Sequence, residues 1–218
     1  MEGERFDRLM ETVRAVKRLR AKVERWGTET VEEHFRRLRS LRLPDLPLAV
    51  REHDPAWAEL FAGERERLLA SLEAVVDIQH FGSTSIPPLP SKDIIDLYVA
   101  VEGPAVTPER EAAFVRLGYR LYGNSPVDPQ AVWFWRTGGT CAFAAHVCER
   151  SRPWMKTVVN FRDFLRSHPM ERSRYAEAKL RLAAEKGQDF LGYSVGKLAL
   201  ISEVNEKAEA WVAARRPG

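Results

Sequence analysis

The residues best able to do chemistry lie in one segment, His80-Phe81-Gly82-Ser83-Thr84-Ser85-Ile86-Pro87-Pro88-Leu89-Pro90-Ser91-Lys92-Asp93-Ile94-Ile95-Asp96-Leu97. The apolar run Val75 to Phe81 reads as a strand, and Gly82-Ser83 follows it directly. A Gly-Ser pair just past a strand can present backbone N–H groups and a hydroxyl to a phosphate. A stiff proline-rich loop leads to a second apolar run, Ile94 to Val101, which carries Asp96. A carboxylate on that neighbouring strand can hold the Mg²⁺ that phosphate groups bring with them. These are the parts of a nucleotidyl-transfer site, and equally of an ordinary β-loop-β unit with one exposed serine.

Asp96 sits in an otherwise buried run, Ile-Ile-x-Leu-Tyr-Val, where an uncompensated carboxylate is costly. Either a cation or an ion pair with a lysine such as Lys92 must offset it. Alternate residues share a strand face, so a second carboxylate is expected two positions away, but Ile94 and Tyr98 stand there. Asp93, three back, faces the other way in a regular strand. His146 shares a predicted strand face with Ala144 and Cys148; it suits a metal ligand, a general base near neutral pH, or a hydrogen-bonded sheet histidine. His80 reads as structural or pocket-lining. Arg162 and Arg166 are one helical turn apart, and Lys179 and Lys197 lie on the next two predicted helices. If those helices wall one pocket they converge positive charge on a triphosphate; otherwise they are solvated faces. Trp133-Phe134-Trp135 puts two indoles on one strand face, suited to stacking a base or to core packing.

The elements that must position these groups follow from periodicity. Phe6, Leu9, Met10, Val13, Val16 and Leu19 recur at helical spacing, Gly27 ends that helix, and Thr30-Val31-Glu32-Glu33 caps a second one. Residues 1–43 therefore read as a helical extension that packs on the main domain or on a second copy, and Leu43 to Pro47 reads as a linker. From 44 to 214 the predicted order is a short strand at 48–51, a helix at 55–72, the two site strands, and a helix capped by Thr107-Pro108 and closed by Gly118. Strands at 119–122, 132–137 and 141–148 follow, the last two joined at Gly138-Gly139, and then helices at 153–167, 170–186 and 190–214. The class is α+β: a mixed β-sheet flanked by helices, with an N-terminal helical arm.

The chain has 218 residues and a net charge of +3, too little to argue for nucleic acid or a membrane surface. The basic excess sits in residues 1–43, with 12 Lys/Arg against 8 Asp/Glu. With acids interspersed, that segment is a poor phosphate tracker, so nucleic-acid binding is not expected. Cys141 and Cys148 are seven apart on one predicted strand and should leave on opposite faces, excluding a disulfide between them. Met1 opens onto polar residues without a basic-then-apolar run, and no apolar stretch approaches a membrane span, so the expectation is a reduced, soluble, cytoplasmic protein.

The run Gly82-Ser83-Thr84-Ser85-Ile86-Pro87, with Lys92 and Ile94-Ile95-Asp96-Leu97, resembles the signature of the GrpB-like family. Further segments resemble it in the same order: His53-Asp54-Pro55-Ala56-Trp57, Leu117-Gly118-Tyr119, His146-Val147, Phe161 to Pro169, Tyr175 with Lys179, and Tyr193 with Lys197. That family is similar to the nucleotidyltransferase superfold and also occurs as the C-terminal part of some dephospho-CoA kinases. The resemblance implies a nucleotidyltransferase-fold domain over 44–214 and Mg²⁺-assisted, NTP-dependent nucleotidyl transfer or adenylate-forming ligation onto a small-molecule acceptor. It implies ATP as the nucleotide, with Asp96, His146 and Lys92 catalytic and Asp96 with His146 holding the metal. Gly82, Ser83, Thr84, Ser85, Arg162, Lys179 and Lys197 are the implied nucleotide-binding residues. The chain also departs from the pattern: Pro88 stands where the family usually has glycine, Asp93 where it has proline, and Ala144-Ala145-His146 where it has His-x-His. Asn124 stands for a glutamate, and an arginine is not evident around Ala131 to Trp133. The rival expectation is a non-catalytic nucleotide-binding or interaction module on the same fold, with self-association through the N-terminal helices.

Overall fold

Val75–Phe81 (β1) and Ile94–Val101 (β2) form an antiparallel pair in which Phe81 stands opposite Asp96. The computed structural model describes residues 49–124, 131–152, 154–186, 193 and 196–215. The expected arm at 1–43, with its proposed role in self-association, lies outside the described residues. Both site strands have the bounds that their apolar runs predict.

After β2, Pro108–Arg116 (α2) is preceded by Ala56–Ser71 (α1) earlier in the chain and followed by three strands: Arg120–Asn124 (β3), Val132–Gly138 (β4) and Cys141–Glu149 (β5). The five-stranded sheet runs β1-β2-β5-β4-β3. Only β2 and β5 are parallel, with Asp96 beside Ala144 and Tyr98 beside His146; the other pairs are antiparallel. These two strands are buried along almost their whole length, as a parallel pair covered on both faces must be. The tight turn from β4 to β5 uses Gly139 at φ 67°, a left-handed conformation. Thr107 caps α2 by accepting the Arg110 N–H, and Gly118 beyond its end has φ 86°.

One sheet face carries the main core: Trp57 and Leu68 of α1 and Phe114 of α2 pack on Ile95, Leu97, Val99, Phe134, Phe143 and Val147. The other face carries Phe81, Tyr98, Ala100 and Cys148, against which Met155 and Val158 of Trp154–Ser167 (α3) pack. Cys141 faces the first layer and Cys148 the second, and no disulfide joins them, so the opposite-face expectation holds. A third cluster is formed by α3 with Pro169–Lys186 (α4) and Leu198–Ala214 (α5), whose Phe164, Leu165, Tyr175, Val204 and Ala208 enclose Ile86 and Leu89 of the proline-rich loop. Burying each of those two loop side chains is worth about 2 kcal/mol. The C-terminal helices thus fix the loop that leaves the Gly-Ser pair.

Two expected elements differ. The strand at 48–51 is a single bridge, Arg51 to Ser91, because one residue pair is all that the segment offers the loop. The helix expected over 190–214 does not run unbroken: α5 begins at Leu198, and Lys197 before it forms a turn, although its carbonyl still accepts the Ile201 N–H. Among the described residues no helix is long and apolar enough to cross a membrane.

Glu64 of α1 is buried, and its carboxylate accepts from Tyr119 Oη at 2.8 Å, Arg136 at 2.6 Å and Arg67 at 2.7 Å. It ties α1 to β4 and to the start of β3. Glu64→Leu leaves the half-buried Arg136 guanidinium and the Tyr119 hydroxyl without their acceptor. The expected loss is about 3 kcal/mol of unfolding free energy, read by urea denaturation; a change under about 0.5 kcal/mol would show that the network is not a structural tie.

Candidate functional site

Gly82 has φ 70° and ψ −174°, a conformation nearly confined to glycine. A Cβ there would lie 2.1 Å from Asp96 Oδ2, so the carboxylate rests directly on the glycine backbone. The absence of a side chain at 82 therefore allows the turn and the close approach together. Ser83–Ser85 forms one 3-10 turn. Ser85 Oγ donates to Gly82 O at 2.7 Å, and Thr84 Oγ1 donates to Ile94 O at 3.0 Å while meeting His80 Nε2 at 3.0 Å. Thr84 and Ser85 are buried and brace the turn from within; Ser83 is half-buried, and its hydroxyl bonds the Tyr175 phenol.

Three lysines from three segments gather about Asp96. Lys92 closes the loop, Lys179 comes from α4, and Lys197 precedes α5. Lys92 Nζ and Lys197 Nζ lie 4.7 Å and 4.5 Å from the centre of one ring, Tyr193. Lys179, only 2% exposed, donates to Pro90 O at 2.6 Å and lies 5.7 Å from the Tyr175 ring. Burial pushes Lys92 down to about 7, helped by the Lys197 charge and opposed by Asp96. Burial likewise takes Lys197 down to about 8 against the pull of Asp96, and holds Lys179 well below the usual lysine range. Gly196 makes room for this, since a Cβ there would meet Leu182 Cδ2 of α4 at 2.7 Å. One carboxylate offsets three ammonium groups only in part, and the balance favours an incoming anion.

The two arginines do something else. Arg162 donates to Gln79 Oε1 at 3.0 Å and His80 O at 2.9 Å, and Arg166 Nε donates to Ser85 O at 2.8 Å. Their forks fasten the end of β1 and the turn to α3. Arg162, expected on the phosphates, directs these N–H groups to protein oxygens. His80 is buried against Phe61, and burial beside both arginines takes it down to about 3, so it is neutral. Asp93 faces away from the lysines, toward Arg51 and Trp57 Nε1, as the strand period requires. Two participants escaped the sequence reading as side chains of the site, Tyr175 and Tyr193. Each precedes a cluster lysine by four residues: Tyr175 and Lys179 share a face of α4, and the Lys197 N–H donates to Tyr193 O at 3.3 Å.

His146 is buried on the Asp96 face, its Nε2 3.8 Å from Asp96 Oδ1, with its ring edge-on to Phe81 and 6.3 Å from Trp133. Among the described residues no three His, Cys, Asp or Glu side chains gather as a metal site. Mg²⁺ asks for near-octahedral hard oxygens, whereas Asp96 here faces ammonium groups that already offset its charge. The donor set does not fit a resident Mg²⁺.

The family described as GrpB protein matches residues 47–207. A UPF0157 protein of Streptomyces coelicolor is 32% identical over 165 residues, covering 76% of this chain and 86% of that protein. The UPF0157 protein YqkA of Bacillus subtilis is 31% identical over 160 residues; 73% of this chain is covered, and only 46% of that relative's length. The crystal structure of GrpB from Enterococcus faecalis superposes with a TM-score of 0.68 at 28% identity, over 75% of this chain and 99% of that one.

Gly82→Ala combines a forbidden backbone with a clash on Asp96, and should cost about 3 kcal/mol. In an Asp96→Gly background the clash is gone and only the backbone strain remains, so the same change should cost about 1 kcal/mol less. Strict additivity in chemical denaturation would show that the two residues do not press on each other.

Proposed function

We propose that this chain, which belongs to the GrpB family, binds the phosphates of a nucleoside triphosphate on its lysine cluster and transfers the nucleotidyl group to a small-molecule acceptor. The observation that carries the reading is the convergence of Lys92, Lys179 and Lys197 on Asp96 beside the turn at Gly82-Ser83, the single carboxylate among them in the described residues. Amines held partly neutral by burial take up protons as a polyanion arrives, so binding creates the charge that the phosphates need. Lys179, bonded to Pro90 O, also keeps the loop against α4.

In this reading an acceptor hydroxyl approaches the α-phosphorus beside Asp96. The carboxylate orients that hydroxyl and takes its proton, while Lys92 and Lys197 offset negative charge growing on the phosphoryl oxygens and on the departing pyrophosphate. The lysines do the electrostatic work that a cation would otherwise do, and no step requires a metal. A second reading, a nucleotide-binding module without turnover, is favoured by one feature: Ile94 and Tyr98 flank Asp96 on its face, and Ala144 stands beside it, so its strand neighbours offer no second carboxylate. Pyrophosphate release in the presence of candidate acceptors separates the two.

The pH dependence follows from the lysines. Lys92 and Lys197 have folded values near 7 and 8 against 10.5 unfolded, so the unfolded chain binds more protons across that window. Their contribution to the stability of the ligand-free protein therefore rises as pH rises from about 7 toward 10.5. Ligand binding runs the opposite way, since it needs the protonated amines. Calorimetry with ATP and with inorganic tripolyphosphate, in EDTA, should show affinity at least about tenfold weaker at pH 9.5 than at pH 7. Lys197→Ala should weaken it about tenfold at pH 7. No binding of either ligand at pH 7, or a flat pH profile, would overturn the proposal.

A further inference from the structure

Trp133 and Trp135 are 96% and 94% buried, yet neither indole N–H has an acceptor among the described residues. An unpaired buried donor is a standing cost in the ligand-free protein. The two rings meet edge to face, 5.5 Å apart at 84°, so they cannot both stack on one base as their shared strand face suggested. What they offer together is two donors. Their position is fixed by register: Trp135 stands opposite Ala144, which lies beside Asp96, and Trp133 stands opposite His146. Two strand spacings, about 10 Å, therefore separate Trp135 from Asp96 along the same sheet face. Between them the floor is Ala142 and Ala144, the smallest residues in that cluster, and Tyr122 leans on Trp133 at 5.5 Å.

We infer that this stretch of the sheet is a nucleobase subsite, taking a planar heteroaromatic ring whose acceptor nitrogen or oxygen atoms receive the Trp133 and Trp135 N–H groups while its phosphates lie on the lysines. The inference rests on the nucleotide reading above and extends it, since a bare polyphosphate would leave both donors unpaired. The ring supplies acceptors that the described residues lack there, on a stretch of sheet where Ala142 and Ala144 are the smallest side chains.

The test compares the four nucleoside triphosphates with inorganic tripolyphosphate by calorimetry, on the full chain and on Trp133→Phe and Trp135→Phe, which keep an aromatic ring and remove the donor. At least one nucleotide should bind about tenfold or more tightly than tripolyphosphate. Each substitution should weaken that nucleotide about fivefold and leave tripolyphosphate within about twofold, with no fall in melting temperature of the ligand-free protein. Equal affinity for tripolyphosphate and all four nucleotides would overturn the subsite and leave the phosphate site standing. So would an equal weakening of both ligand types in the variants. Absence of binding to every probe would overturn both readings.

Discussion

Keeping ammonium groups out of water is expensive, and this fold does it three times around one carboxylate. Lys92, Lys179 and Lys197 are held by elements far apart in sequence, so each is placed only when the loop, α4 and the turn before α5 are all in position. Asp96 is the common partner, and its own position depends on Gly82, whose missing side chain lets the carboxylate settle on the turn. Remove that fit and the lysines lose the charge that opposes their desolvation. The rest of the architecture can be read as support for this one arrangement.

That support is mostly hydrophobic. Ile86 and Leu89 are enclosed by residues of α3, α4 and α5, so the loop between the Gly-Ser pair and Lys92 is gripped by the helical layer that also delivers Lys179 and Lys197. Arg162 and Arg166 add directed bonds from α3 to His80 O and Ser85 O. Loop and helices cannot shift independently, so the lysine cluster is held at the seam between sheet and helical layer. On the sheet itself, the parallel pairing of β2 with β5 puts Asp96 beside Ala144 and so brings the tryptophan face into line with it.

How far the sequence revealed this depended on how local each cause was. The alternation and apolar content of residues 75–81 and 94–101 gave both site strands at their observed bounds, and Thr107 and Gly118 marked the ends of α2 through cap chemistry. The opposite facing of Cys141 and Cys148 followed from strand period. The bond from Arg162 to His80 O had no local signal, because a guanidinium on a helix is drawn equally to a phosphate and to a nearby carbonyl, and only the packing of α3 on β1 put His80 O within its reach. The interruption at Lys197 was hidden too, since an apolar helical pattern continues through it on both sides.

The sequence by itself determined the elements, the family and the residues capable of phosphate chemistry, because helix and strand periods, caps and the Gly-Ser-to-Asp spacing act over a few residues. Only the tertiary structure decided what those residues do to one another. That Lys179 and Lys197 approach Asp96, that Arg166 reaches Ser85 O and that Lys179 reaches Pro90 O depends on side chains brought together from 80 or more positions apart, and the crossing of the two indoles depends on how the strand packs. Desolvation, which sets the charge of the lysines, has no local signature at all: it exists only once the helices close over them.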